Sequence, residues 1–141
     1  MKVIRTKSII VLGLAAAAAV AVTAVWAGNP HFVGDVTVTR VDNTITVTGK
    51  EAGLGDEAQV HIVLNATAEC INPGDHHPKA ANKTSVTAEG DFPVQNGKAE
   101  FTLSATASFQ PDCSPPMTVV FTDVTVTDTT SGLSQSFPGP F

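Results

Sequence analysis

The chain has 141 residues, eight basic and thirteen acidic side chains, a sequence pI near 5.1 and 43% hydrophobic residues. That length suits one ordinary domain and is too short for two. The acidic balance repels phosphate backbones and anionic lipid, which argues against nucleic acid or a membrane surface as a partner.

Residues 1–27 read as a segment apart from the fold. Lys2, Arg5 and Lys7 precede an apolar run from Ile9 to about Val22, which exits through Val25, Trp26 and Ala27. A basic start, an apolar middle and small or apolar residues at the exit make a secretory signal peptide cut after Ala27. The run falls short of the ~20 residues of a membrane anchor. Its alanine-rich, leucine-poor composition points to a bacterium. Cleavage leaves 28–141, a single domain of 114 of the 141 residues. Arg40, Lys50, Lys79, Lys83 and Lys98 then face all thirteen acidic residues, for a net charge of −8.

From here the pattern has period two. Val36, Val38 and Arg40 alternate with Thr37 and Thr39; after Asp42 and Asn43 the alternation resumes with Ile45 and Val47 against Thr44, Thr46 and Thr48. Two short strands around a tight turn are expected, since Asp and Asn tolerate positive φ. A glycine-rich corner follows at 49–55. The longest strand comes next, with Val60, Ile62, Leu64, Ala66, Ala68 and Cys70 on one face. A polar connection at 71–83 leads to short strands at 85–88 and 92–94, punctuated by Gly90. Asn96 and Gly97 are the strongest hairpin signal and feed a strand at 99–107. A loop at 110–116 holds Cys113. The strand at 118–127 is bulged near Asp123, because Phe121 and Val124 break parity. A turn at 129–132 and a last strand at 133–137 close the chain.

Seven or eight short Thr/Val-rich strands with hairpin turns, and no helical period outside 1–27, predict an all-β fold. The expected form is a two-sheet antiparallel sandwich with an immunoglobulin-like Greek key; an open barrel is the alternative. The core tryptophan of antibody domains is absent from 28–141. In an exported chain, two cysteines permit one intramolecular pairing, the disulfide Cys70–Cys113. It closes a loop of about 43 residues, for roughly 4 kcal/mol of stabilisation.

Residues that could carry chemistry are few. His61, His76 and His77 could ligate zinc or copper only if the fold gathers them, and solvated loop histidines are the plainer reading. No metal or cofactor is therefore expected. Near the start of the domain, Pro30 lacks the N–H that an amino-terminal copper site needs before its histidine. There is no G-x-S-x-G, HExxH or calcium-loop pattern, and Asp56 with Glu57, like Glu89 with Asp91, reads as a solvated pair flanking a turn. An enzyme is not expected. Without Trp or Tyr, 28–141 also lacks the usual anchors of sugar-binding and antibody-like surfaces. Ranks of threonine at 37/39, 44/46/48 and 125/127 suggest an ice-binding plane, but outward threonine is ordinary sheet surface. The terminal 137–141 segment reads as a frayed end. The candidate interaction loop is 71–83, with Asn72, Asp75, His76, His77, Lys79 and Lys83. It is the longest irregular stretch between strands, and long loops on a rigid sandwich commonly carry binding.

The blocks GKEAGLG at 49–55, CINPG at 70–74, HPKAANK at 77–83 and NG at 96–97 resemble the signature blocks of a family of small exported bacterial proteins of unknown function, over residues 29–127. That resemblance implies no activity and no functional residues. Size, acidity, composition and the Ala-Gly-Leu turn also resemble the neocarzinostatin-type apoproteins, secreted sandwiches that sequester an enediyne chromophore; those carry two disulfides and this chain can form one. The expected protein is thus a secreted, monomeric, non-enzymatic sandwich with a structural or interaction role, its partner an extracellular protein or small molecule. The alternative is a small-molecule carrier.

Overall fold

The computed structural model describes residues 28–74 and 82–141. Residues 1–27, read above as a signal peptide, lie outside them. The described residues form strands β1 (His31–Phe32), β2 (Thr37–Val41), β3 (Thr44–Ala52), β4 (Gln59–Ile71), β5 (Lys83–Pro93), β6 (Ala99–Thr106), β7 (Thr118–Asp128) and β8 (Ser134–Phe137). All pairings between them are antiparallel. In one sheet β3 is central, with β6 along one edge and β2 and β1 end to end along the other. The second sheet runs β5-β4-β7-β8.

The chain passes from β3 to β4 in the other sheet, returns from β5 to β6 beside β3, and crosses again to place β7 beside β4. The interlocked pairs β3–β6 and β4–β7 make this an immunoglobulin-like Greek key. Side chains alternate as the period-two pattern requires. Ile45 and Val47 of β3, Phe101 and Leu103 of β6, Ile62 and Leu64 of β4, and Phe121, Val124 and Val126 of β7 fill the space between the sheets. The rings of Phe32 and Phe92 meet Phe101 edge-on, each at 6.2 Å. Outside, threonine hydroxyls bond across the strands: Thr44 with Thr106 at 2.9 Å, Thr46 with Ser104 at 2.7 Å and Thr48 with Thr102 at 3.2 Å. Such cross-strand pairs contribute a few tenths to about 1 kcal/mol each.

Both long connections leave from one end of the sandwich. The 53–58, 94–98 and 129–133 connections lie at the end of the sandwich where β3 and β7 finish. The two-residue turn at Asp42 and Asn43 and the long 72–82 and 107–117 connections leave from the opposite end.

Several expectations need correction. The glycine-rich corner does not begin at 49, because β3 runs on to Ala52. Gly49 stays in the strand since its missing Cβ makes room for Phe101, whose Cζ is 2.6 Å from where that atom would stand. The corner starts at Gly53, which has φ 74 and backs onto the Asn29 carbonyl, 2.1 Å from an added Cβ. Gly90 does not divide two strands: β5 is continuous and pairs with β4 from Lys83 to Pro93. Asn96 and Gly97 do form a positive-φ turn, at 52° and 71°, bridged between Gln95 and Lys98, but the turn hands the chain from one sheet to the other. The end is not frayed. Phe141 and Phe121 exchange backbone bonds at 3.0 and 3.1 Å, and Phe141 packs on the core. The bulge at Asp123 is present, with φ 50 and a register shift opposite Asn65 and Thr67.

Candidate functional site

Cys70 ends the inward face of β4 and bonds Cys113 in the 107–117 connection, with Cα atoms 5.7 Å apart. The bridge is the bond of an oxidising, extracellular-type compartment. It ties the second sheet to the chain leaving the first. Beside it the β2–β3 turn is held by two bonds: Asn43 Nδ2 donates to the Ala107 carbonyl at 2.9 Å, and the Ala107 N–H donates to the Asn43 carbonyl at 2.8 Å. Between these anchors opens a cleft of about 670 Å³. Phe109, Met117 and Val119 give it an apolar floor, and Arg40 and Asp112 stand on its rim. Arg40 continues the parity of Val36 and Val38 and is exposed on β2. Its Nη1 donates to the Asp42 carbonyl at 2.9 Å.

The predicted interaction loop springs from the same end. Asn72 follows β4 directly and is exposed. Lys83 opens β5, its Nζ 3.0 Å from Oε1 of the buried Glu69. Asp75, His76, His77 and Lys79 lie outside the described residues. His61 is ten positions back along β4, a span of ~33 Å at 3.3 Å per residue. It sits on the outer face of the second sheet, Nδ1 2.7 Å from Asp91 and Nε2 3.6 Å from Glu89. Its hydrogen bond to Asp91 raises its pKa above the ordinary histidine value. Glu89 and Asp91 therefore do not flank a turn; they lie mid-strand in β5 and bracket an imidazole. Among the described residues no group of three His, Cys, Asp or Glu side chains is placed so that it could hold a metal ion.

Two further acidic groups escaped the pattern reading. Glu51 and Asp128 are fully buried between the sheets, at the end opposite the cleft. Extending the inward parity of 45 and 47 by two steps, and that of 124 and 126 by one, finds both. No protein-family model, curated protein or solved structure matches the chain.

Proposed function

We propose that this is an exported bacterial β-sandwich that acts outside the cytoplasm as a monomeric, non-enzymatic interaction domain, presenting the disulfide-clamped end to its partner. The observation that carries this reading is the bridge itself. Cys70–Cys113 pins the root of the 72–82 connection to the middle of the 107–117 connection, beside an open cleft. Rigid roots under polar, irregular segments are a common way to build a recognition surface at low ordering cost. Intact mass of the secreted protein tests export: a start at Gly28 is expected, and retention of residues 1–27 in a membrane fraction refutes it. Binding is tested by replacing Asp75, His76, His77 and Lys79 together with Ser. Partners captured by the wild type from culture medium are then lost with little change in stability, whereas identical capture by both proteins removes the assignment.

The cleft floor of Phe109, Met117 and Val119 supports a second reading, a carrier of a small molecule in the manner of the neocarzinostatin-type apoproteins. Native mass spectrometry of protein purified from its own medium separates the two: a retained small ligand favours the carrier.

A further inference from the structure

Oxidation chemistry on residues 28–141 has one address. Both cysteines are joined in the bridge, the stretch holds no Trp or Tyr, and Met117 is the one methionine after Met1. With thiols absent, its thioether is the group that two-electron oxidants take first. The side chain is half-buried: it packs on the core and also lines the open cleft. Its Sδ stands 3.7 Å from Cys70 Sγ. A bridged sulfur has no proton to give, so this is a contact of sulfur on sulfur. Met117 thus lies over Cys70, which keeps only 4% of its surface.

We propose that Met117 is an oxidation site that covers the bridge: peroxides and hypohalous acids convert its thioether to the sulfoxide, and the sulfoxide uncovers Cys70 to attack by a small thiol. With hydrogen peroxide the sulfur lone pair takes one oxygen, the O–O bond breaks, and the other oxygen leaves as water. Sulfur loses the two electrons that the peroxide gains. The product is a polar group where an apolar one packed, and its new oxygen draws the side chain toward the water of the cleft. The backbone stays behind. The Met117 N–H donates to the Ser114 carbonyl at 2.9 Å, Pro115 and Pro116 have fixed φ, and Thr118 is paired with Ile71. A thiolate can then bond Cys70 Sγ while Cys113 leaves as thiolate, a step whose rate depends on access to the attacked sulfur. The regulatory consequence rests on the interaction surface proposed above, whose clamp becomes releasable; the oxidation itself does not.

The test treats the folded, secreted protein with hydrogen peroxide, maps the added oxygen by mass, and follows reduction of the bridge by dithiothreitol. The wild type gains one oxygen, at Met117, and its bridge is then reduced several-fold faster, with the urea midpoint nearly unchanged. Met117→Leu, similar in volume, gains none and stays slow with or without peroxide. Met117→Ala is fast without peroxide. Oxygen uptake only in urea overturns the proposal. So do equal reduction rates before and after oxidation, a slow Met117→Ala, or a rate that rises only as far as the folding equilibrium constant falls, which would make the opening global. No partner enters this experiment, so its failure leaves the interaction reading standing, and lost support for that reading leaves the chemistry at Met117 standing.

Discussion

Reduction of Cys70–Cys113 is the perturbation whose size follows most directly from the fold. The bond joins residues 43 apart in sequence. In the chain-entropy model, closing a loop of that length removes about 13 cal/mol/K from the unfolded ensemble, or ~4 kcal/mol at 25 °C. Domains of this size are stable by only ~5–15 kcal/mol, so the reduced protein stays folded with a fraction of its margin. The native side loses little. Cys70 remains in register with Val119, and Ala107 remains bonded to Asn43, when the sulfurs part. The effect therefore arises in the unfolded chain, which becomes more expanded, and the urea m-value rises along with the fall in midpoint. Far-UV circular dichroism is the right probe, because 28–141 contains no Trp or Tyr to report by fluorescence. Free-thiol titration before reduction finds none. An oxidised-to-reduced difference under ~1 kcal/mol with an unchanged m-value refutes the loop-closure reasoning.

Gly49→Ala places a Cβ 2.6 Å from Phe101 Cζ and 3.1 Å from Val36 Cγ2, so the core must shift. The expected cost is about 1–3 kcal/mol, read from the urea midpoint. Gly97→Ala keeps ordinary contacts, the nearest atom being 3.6 Å from the added Cβ, yet forces alanine to φ 71. A cost of about 1–2 kcal/mol from backbone alone follows. His61, observed by NMR, titrates above the ordinary histidine value because protonation strengthens its bond to Asp91, and Asp91→Asn moves it back down. Its contribution to stability is full below the unfolded-state pKa and is lost as pH rises through the folded one. A His61 that titrates identically in both proteins removes the Asp91 explanation.

Much of the fold was legible because period-two burial is a strong signal wherever a strand has one dry face. The inward sets 45/47, 60–70 and 101/103/105 were read correctly, as was the parity break that produces the bulge at Asp123. The turns at Asp42 and Asn96 announced themselves through residues that tolerate positive φ. Glycine misled where it serves a neighbour rather than a turn. Gly49 yields space to Phe101 and Gly90 to Phe92, so both strands run through positions that looked like breaks. The same misreading hid Glu51, since a strand ended at Thr48 has no inward position 51. Asp128 was lost by stopping one residue early. His61 with Glu89 and Asp91 could not be foreseen without the β4–β5 register, which pairs 61 with 91 and 63 with 89. The cleft needs two segments distant in sequence, 40–43 and 106–119, and no local pattern encodes their meeting. For the candidate loop, the described residues Asn72 and Lys83 fix only where it leaves and returns.

The placing of both long connections at one end also bears on how this domain can be altered. Doubling the length of a flexible surface loop costs only ~0.6 kcal/mol. Gln110, Pro111 and Asp112 are exposed, sit just before the bridged Cys113, and lie at the other end of the sandwich from Glu51 and Asp128. A foreign peptide grafted there would enter with one foot already pinned. Variation at 110–112, by drift or by a protein engineer, falls on exposed side chains. The domain is a natural display scaffold, with 110–112 as its insertion point.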